Sequence, residues 1–227
     1  MEKDPRLVVL VAQLIRRKRV DHAVRAFAAV VPAFPAARLE VYGEGPELAD
    51  LERLVEDLGL MASVRLMGYS LAVGEAQARA LCTLMTSEFE GYARVINESL
   101  VRGTPVVAYD VRYGPRDLIR HEVDGLLVDV HEPGALAAAI RRMLADPARA
   151  AEMGRRGREA LDRLPVADFE RAWLDVLASD RRPPRFTPEA PLGAVRTFRL
   201  EAGVQRWRDR TTPRRILRRL VGVVSRS

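Results

Sequence analysis

Six short apolar runs, each about the length of a buried strand, recur along the first 130 residues of this chain. They are Leu7–Ala12, Arg38–Tyr42, Val64–Met67, Leu81–Met85, Pro105–Tyr109 and Leu126–Val128. The segments between them carry apolar residues at helical spacing. Strands that alternate with helices usually pair in parallel, and helices then cover both faces of the sheet. The sequence therefore predicts an α/β fold built on one doubly wound parallel sheet.

The helices are expected to alternate with these strands and to continue beyond the last one. They are predicted at Val20–Val31, Pro46–Leu58, Val73–Ala80, Val95–Arg102, Pro115–His121, Pro133–Ala145, Ala148–Leu161 and Val166–Leu177. The stretch Arg181-Arg182-Pro183-Pro184 then has the composition of a linker. We therefore expect one folded domain over residues 1–180 and a basic, arginine-rich tail, partly helical or disordered, over residues 181–227.

Composition favours a soluble protein of the cytoplasm. Hydrophobic residues make up 48% of the chain and charged residues 30%, and no apolar run approaches the roughly 20 residues that span a bilayer. The first residues, MEKDPRLVVLVAQL, do not have the pattern of a secretory signal. The single cysteine, Cys82, excludes an intrachain disulfide and lies in an apolar run, so we expect a small core residue in a reducing compartment.

The positive charge is concentrated in the tail. Residues 181–227 hold 13 arginines against three acidic residues, a net charge of +10, so the rest of the chain carries −4 of the total of +6. From Pro213 onwards, apolar residues fall at helical spacing against an arginine face. Such a segment can lie on an anionic membrane surface, which would place the protein at the inner face of the cell membrane. The alternatives are a solvated basic tail and, least favoured, a nucleic-acid-binding module.

The segment Thr86–Asp110, TSEFEGYARVINESLVRGTPVVAYD, carries the main candidate site. Two carboxylates, Glu90 and Glu98, stand on either side of the point where a loop becomes a helix, and Gly91 is expected to let the loop turn tightly. The unpaired N–H groups at the start of such a helix attract phosphate. Carboxylates beside them suit a ligand with both phosphate and hydroxyl groups, such as a nucleotide sugar. The alternative is an ordinary strand–loop–helix unit.

A second candidate lies after the first strand, where Arg16, Arg17, Lys18 and Arg19 form a cationic loop. Open α/β sheets bind ligands at the carboxyl edge of their strands, so these cations are expected to face the anion site if both loops reach one crevice. The alternative is a solvated loop. The turn Gly43–Pro46 lacks the spacing of a dinucleotide-binding loop and is interpreted as structural.

Five blocks, taken in order, resemble the C-terminal domain of retaining GT-B glycosyltransferases of the group 1, or family 4, kind. The blocks are VAQLIRRKRVDHAVRAF, LEVYGEGPELADLERLVEDLGL, VRLMGY, LMTSEFEGYARVINESLVRGTPVVAYD and DGLLV, which together extend from Leu7 to about Asp146. The phrase VVAYDVRYGPRDLI further resembles the branch that glucosylates teichoic-acid-like polymers or protein serines, such as poly(glycerol-phosphate) α-glucosyltransferases. The resemblance implies one Rossmann-like half of a two-domain enzyme that takes a UDP-sugar as donor and needs no metal or other cofactor.

The resemblance also implies roles for particular residues. Glu98 would hold the ribose hydroxyls, Glu90 would contact the transferred sugar, and Lys18 would neutralise the leaving diphosphate. Residues of the loop after Glu90, of the start of the following helix, and of the loop after the first strand would complete the donor site. These residues are Gly91, Tyr92, Ala93, Arg94, Val95, Gln13 and Arg17. The backbone amides of Ala93, Arg94 and Val95 are expected to cradle the diphosphate.

The chain departs from the family pattern at several of these positions. Gln13 stands where arginine is usual, Arg19 where glycine is usual, and the common EGFGL is EGYAR here. Arg16 or Arg17 would then replace the missing cation, and Arg94 would pair with a diphosphate or acceptor anion, or reach solvent. No metal site is implied, because Glu88 and Glu90 do not form an Asp-x-Asp pair. The three histidines, His22, His121 and His131, lack ligand spacing and are expected to be surface or capping residues.

Nothing in the sequence resembles the acceptor domain of the family. We therefore expect a fragment of a longer transferase, a split enzyme that needs a partner chain carrying the acceptor domain, or a remnant that binds without catalysing. The favoured function is transfer of a hexose from a nucleoside-diphosphate sugar to a cell-envelope polymer or similar acceptor, with retention. The alternative is a non-catalytic nucleotide-sugar-binding or assembly subunit.

Overall fold

A computed structural model describes residues 2–111, 113–130, 132, 134–162, 170–171 and 174–175. It divides the chain into two units, Met1–Ala172 and Trp173–Ser227, and the sheet with its helices belongs to the first. Most of the predicted helix Val166–Leu177, the whole predicted tail 181–227, and the residues His131 and Pro133 lie outside the described residues. The division into a domain of residues 1–180 and a tail therefore stays a prediction.

Six strands form one sheet in which every neighbouring pair is parallel. The strands are β1 (Leu7–Val11), β2 (Arg38–Tyr42), β3 (Val64–Gly68), β4 (Cys82–Met85), β5 (Val106–Tyr109) and β6 (Gly125–Val128). Their order across the sheet is β3-β2-β1-β4-β5-β6. The chain therefore adds β2 and β3 on one side of β1, and then adds β4, β5 and β6 on the other side. The predicted doubly wound parallel sheet is confirmed, and each strand lies within one residue of its predicted bounds.

Seven helices join and follow these strands in the described part of the first unit. They are α1 (Val20–Val30), α2 (Leu48–Asp57), α3 (Val73–Arg79), α4 (Arg94–Leu100), α5 (Pro115–Leu118), α6 (Ala135–Ala145) and α7 (Pro147–Asp162). A single 3-10 turn, Arg16–Lys18, precedes α1 and was not predicted. Most predicted helix ends differ from the observed ones by one or two residues, as expected where helix ends fray.

Helix α5 is the exception, because it ends three residues earlier than predicted. Ile119 already has extended backbone angles, and its side chain is buried in the core. His121 then forms a parallel bridge with Gly125, and its Nδ1 accepts a hydrogen bond of 3.0 Å from the Leu127 amide. The chain must leave the helix here to enter β6, and periodicity alone did not reveal that constraint.

The central strands are buried on both faces, which explains their continuous apolar runs. On one face, Val8 and Leu10 of β1 join a large cluster with Phe27 of α1 and residues of α6. On the other face, Val9 packs in a smaller cluster with Ala76 and other residues. Helices therefore cover both sides of the sheet and leave its carboxyl edge open to loops.

Two glycines bring the turn after β2 against the loop after β1. A Cβ atom on Gly43, whose φ is +141°, would lie 1.8 Å from the carbonyl oxygen of Ala12, and one on Gly45 would lie 2.3 Å from that of Leu14. The Leu14 amide also donates a hydrogen bond of 2.8 Å to the Glu44 carbonyl. This close approach agrees with a structural role for the turn and sets the course of the first loop.

Candidate functional site

A cleft of about 320 Å³ opens at the carboxyl ends of β1 and β4, where the strand order reverses. Open α/β sheets bind their ligands at this position, because the loops that follow the two strands diverge there. The residues that line the cleft are Leu10, Val11, Ala12, Lys18, Leu84, Met85, Thr86, Ser87, Glu90, Tyr92, Ala93, Arg94, Val95 and Glu98. Apolar strand residues thus make its base, and charged residues stand on its walls.

The loop after β1 and the loop after β4 meet in an ion pair across the cleft. Lys18 Nζ lies 2.5 Å from Glu90 Oε1, and the two side chains are only 16% and 12% exposed. Partial burial strengthens such a pair relative to one in open solvent, because fewer water molecules screen the charges. The cation predicted from the first loop and the first acid of the second segment therefore belong to one site.

The two loops are also joined by hydrogen bonds around this pair. The Glu88 amide donates to the Arg17 carbonyl at 3.0 Å, and the Thr86 hydroxyl donates to the Lys18 carbonyl at 2.8 Å. Arg19 Nη1 donates to Glu88 Oε1 at 2.8 Å. These three hydrogen bonds, together with the ion pair itself, hold Lys18 and Glu90 in position relative to each other.

The start of α4 forms another wall of the cleft. Ala93, the residue before the helix, has left-handed backbone angles (φ 51°, ψ 57°), whereas Gly91 does not. The chain bends at Gly91 and Tyr92, and the left-handed residue that follows this bend was not predicted. The amides of Arg94 and Val95 open the helix, where N–H groups have no partner within the helix itself. They line the cleft and can donate to a ligand.

Glu98 lies on α4 and also lines the cleft. Its side chain is half-buried, and its carboxylate makes no hydrogen bond or ion pair with any residue that the structure describes. Arg94 is exposed at the mouth of the cleft. Tyr92 is 58% exposed there, and its hydroxyl accepts a hydrogen bond of 2.7 Å from Asn97 Nδ2. The cleft thus holds one paired and one free carboxylate.

Three of the predicted site residues do not line the cleft. Gln13, Arg17 and Gly91 are exposed, and Arg17 reaches the site only through its backbone carbonyl. Their predicted part in ligand binding stays a prediction. By contrast, Lys18, Glu90 and Glu98 surround one space, together with Tyr92, Ala93, Arg94 and Val95.

Sequence reasoning missed several residues of the site. Thr86 and Ser87, each 2% exposed, line the cleft directly after β4; two hydroxyl residues at the end of an apolar strand were the available signal. His22 is neither a plain surface residue nor a cap as expected. Its Nδ1 lies 2.9 Å from the Tyr109 hydroxyl, and its Nε2 contacts Arg19. Burial, the largest cause, lowers the pKa of His22 below its usual value.

Neither a metal-binding cluster nor a membrane-spanning helix is found in the part of the chain that the structure describes. There, no three His, Cys, Asp or Glu side chains are grouped so that they could hold a metal ion. Within the same residues, no helix is long and apolar enough to cross a membrane.

The strand order and the position of the cleft define a doubly wound α/β domain of the nucleotide-binding kind. The family described as Glycosyl transferases group 1 matches residues 1–160, so the chain belongs to that family. Its domain is the C-terminal domain of a GT-B glycosyltransferase, as the sequence resemblance implied.

Two named relatives are similar to this chain over more than half of its length. The chain is 37% identical over 182 residues to an exopolysaccharide phosphotransferase of Streptomyces coelicolor, which covers 78% of this chain and 19% of the relative. It is 33% identical over 138 residues to the poly(glycerol-phosphate) alpha-glucosyltransferase of Bacillus subtilis, covering 61% of this chain and 20% of the relative. The chain therefore spans about a fifth of the length of each of these two proteins.

A solved structure shows the same domain. The structure of TarM from S. aureus, in complex with fondaparinux, alpha-GlcNAc-glycerol and UDP, superposes with a TM-score of 0.75 at 26% identity. The match covers 79% of this chain and 36% of TarM. The described sheet and its helices thus correspond to about one third of that protein.

Proposed function

We propose that this chain binds a nucleoside-diphosphate sugar, a UDP-sugar in the first instance, in the cleft between β1 and β4. In this proposal it is the donor-binding part of a retaining hexosyltransferase that modifies a cell-envelope polymer or similar acceptor. The observation that carries the proposal is the convergence of Lys18, Glu90, Glu98 and the first amides of α4 on one cleft. A nucleotide sugar carries the complementary groups, namely hydroxyls for the carboxylates and a diphosphate for the amides and the ammonium group.

The two carboxylates take different roles because their surroundings differ. Glu98 is free of partners among the described residues and accepts hydrogen bonds from the ribose hydroxyls. Glu90 lies against Lys18, near the position of the diphosphate, and accepts hydrogen bonds from hydroxyls of the transferred sugar. A carboxylate with two oxygens can serve adjacent hydroxyls at once.

Lys18 and the start of α4 stabilise the diphosphate. Negative charge grows on the leaving diphosphate as the bond to the sugar breaks, and donors already in place lower the free energy of that transition state. Loss of one such donor typically costs on the order of 10²–10³ in rate. The amides of Ala93, Arg94 and Val95 add donors that do not need to be reoriented during the reaction.

The similar proteins support binding of the donor sugar nucleotide more directly than they support transfer of its sugar to a particular acceptor. The structure of TarM was determined with UDP. The name of the Streptomyces relative describes phosphotransfer rather than glycosyl transfer, and this chain covers only 19% of that protein. For this reason the first test measures binding to the chain itself.

The test is a calorimetric titration of the 227-residue chain with UDP and with UDP-glucose. We expect both to bind, and we expect Glu98→Ala to weaken both by about tenfold or more, because a hydrogen bond to a charged group contributes about 1.5–3 kcal/mol. Glu75→Ala is the matched control, since Glu75 is an exposed helical glutamate on α3. Binding that is unaffected by Glu98→Ala would refute the site, and no binding by the unaltered chain would refute the function.

Transfer to an acceptor requires a second wall for the cleft, which in this proposal comes from an acceptor domain. That wall would orient the acceptor and exclude water, both of which contribute to the rate of transfer. An acceptor domain encoded in frame upstream of Met1, or by a neighbouring gene, would support transfer by a complete or split enzyme. Binding of UDP-glucose with no such domain would instead favour the non-catalytic nucleotide-sugar-binding subunit.

Attachment of the arginine-rich tail to the inner face of the cell membrane is a separate proposal, supported by its net charge of +10 over residues 181–227. We expect weak adsorption to anionic vesicles that decreases as salt is added, because salt screens exposed charges. Sedimentation of the chain with anionic and with neutral vesicles tests this. Equal adsorption to both kinds of vesicle, or adsorption that does not respond to salt, would contradict it.

A further inference from the structure

Arg19 has a backbone conformation that favours glycine. Its φ of 46° and ψ of 45° are left-handed, and it lies between Lys18 of the cleft and the first residue of α1. A left-handed residue with a side chain is less stable than glycine in the same place, and such residues persist when their surroundings stabilise them. The contacts of the Arg19 side chain should therefore show what stabilises this conformation.

The Arg19 guanidinium contacts three groups. Nη1 donates to Glu88 Oε1 at 2.8 Å and Nε donates to Asp21 Oδ1 at 3.2 Å, while Nη2 contacts His22 Nε2. The Arg19 side chain is 26% exposed, so it is partly shielded from solvent. Through these contacts Arg19 connects the start of α1 to the loop after β4, two residues before Glu90.

The contact with His22 defines the protonation of that ring. Arginine only donates hydrogen bonds, so His22 Nε2 must accept, and the ring proton lies on Nδ1, which donates to the Tyr109 hydroxyl at 2.9 Å. His22 is therefore neutral in this arrangement. Protonation would place a second cation against the guanidinium and remove the acceptor.

The charged groups around His22 act in opposite directions. Asp21 and Glu88 favour the protonated ring, whereas Arg19 and Arg25 disfavour it. Burial against Tyr109 and its neighbours adds the largest effect and lowers the pKa of His22. The ring is consequently neutral around pH 7, and it gains its proton only at a lower pH than an ordinary histidine does.

We propose that Arg19 is a positioning residue for the cleft: through Glu88 it holds the loop that carries Glu90 against the loop that carries Lys18, and neutral His22 holds Arg19 in place. This inference rests on the proposed function, because the ligand whose affinity depends on the positions of the two loops is the nucleotide sugar. Acid then releases Arg19 from His22, loosens the Glu88 loop and weakens donor binding.

The first measurement is made without any ligand. The Glu88 amide donates to the Arg17 carbonyl, so its protection from hydrogen exchange reports whether the two loops stay together. We expect Arg19→Gly to lower that protection about tenfold at pH 7, by NMR on the full chain. Arg155→Gln is the control, because Arg155 pairs with Glu152 and Glu159 within α7.

The second measurement is the affinity for UDP-glucose, whose doubly esterified diphosphate does not titrate between pH 5 and pH 7.5. We expect the unaltered chain to bind up to about fivefold more weakly as the pH falls from 7.5 to 5, with the loss starting below the pH at which an ordinary histidine gains its proton. We expect Arg19→Gly to bind about fivefold more weakly at both pH values, with Arg19→Lys restoring part of the loss at pH 7.5. His22→Gln, which cannot become charged, should bind with little dependence on pH.

Folding does not confound these results, because glycine fits a left-handed backbone and Arg19→Gly should leave the melting temperature unchanged or higher. Unchanged protection of the Glu88 amide in Arg19→Gly would overturn the inference, as would lowered protection with unchanged UDP-glucose affinity. In both cases the proposed function would stand. Failure of the unaltered chain to bind UDP-glucose would overturn the proposed function and the positioning role that depends on it.

Discussion

Lys18 and Glu90, which are 72 positions apart in sequence, lie 2.5 Å apart across the cleft. The pair forms because β1 and β4 are neighbours in the sheet, so the loops that follow them begin side by side. It also means that the ammonium group which we propose for diphosphate binding already pairs with a carboxylate. In the proposed function, a nucleotide shares Lys18 with Glu90 or displaces Glu90 from it.

Removing the charge of Glu90 should change the preference between UDP and a UDP-sugar. We expect Glu90→Gln to raise the affinity for UDP about fivefold, because Lys18 is then free to bind phosphate and a partly exposed pair contributes about 1 kcal/mol. The gain for UDP-glucose should be smaller, since the variant loses a charged acceptor for the sugar hydroxyls. Calorimetric titration with UDP and with UDP-glucose gives the change in affinity for each ligand, and Glu75→Gln is the control. Equal gains for both ligands would show that Glu90 does not contact the sugar.

Ala93 should be more stable as glycine. Its left-handed backbone angles are unfavourable for a residue with a Cβ atom by roughly 1–2 kcal/mol. We expect Ala93→Gly to raise the melting temperature by a few degrees, because 1 kcal/mol shifts it by about 2–4 °C in a domain of this size. Ala137→Gly is the matched control: Ala137 is buried inside α6, where glycine costs about 1 kcal/mol. Thermal unfolding followed by circular dichroism should show a higher melting temperature for Ala93→Gly and a lower one for Ala137→Gly. A lower melting temperature in both variants would contradict the strain at Ala93.

Cys82 should be unreactive in the folded protein. It is the first residue of β4 and fully buried, and burial raises the pKa of its thiol to about 12. The thiolate is the reactive form, so a protonated and inaccessible thiol reacts slowly with disulfide reagents at pH 8. We expect labelling by such a reagent to follow unfolding, with one thiol modified in denaturant and almost none without it. Rapid labelling of the native chain would show that the core around β4 opens.

Glu122 should make stability depend on pH in acid. Its carboxylate accepts hydrogen bonds from Arg142 of α6 at 2.8 Å and from Arg149 of α7 at 2.7 Å. The hydrogen bond from Arg142, the largest cause, lowers the pKa of Glu122 below its usual value. A lowered carboxylate pKa stabilises the fold above the usual pKa, and that contribution is lost as the pH falls through the folded value.

The variant Glu122→Gln tests this dependence. We expect it to lower the free energy of unfolding by no more than about 1 kcal/mol at pH 7, because the group is about one third exposed and solvent screens the pair. The difference from the unaltered chain should shrink as the pH falls through the lowered pKa of Glu122, and it should vanish once this carboxylate is protonated in the folded chain. Urea denaturation at a series of acidic pH values gives the comparison, and a difference that does not shrink in acid would point to packing rather than charge.

Much of the fold could be predicted because its elements are defined locally. The strands β4 and β5 are buried at every position, and their runs of apolar residues showed this directly. Helix α1 was equally clear, since its buried residues recur at helical spacing. The end of α5 was not predictable from pattern, because Ile119 leaves the helix to fill the core, and a core contact is not visible in a local window.

Parts of the candidate site were predictable for the same reason. Glu90, Glu98 and Lys18 could be selected from their spacing and from the resemblance to a family. The left-handed backbone at Ala93 was not predicted, because it depends on how the loop meets the start of α4. The pairing of His22 with Tyr109 involves residues 87 positions apart, and no sequence periodicity relates them.

By itself, the sequence determined the order and kind of elements, the parallel sheet, and which charged residues follow β1 and β4. Only the tertiary structure decided that Lys18 pairs with Glu90, that the Glu98 carboxylate has no partner among the described residues, and that Arg19 joins Glu88 to His22. The physical reason is that secondary structure responds to neighbours along the chain. A site, by contrast, depends on distances between loops, which are fixed only when the strands below them pack side by side.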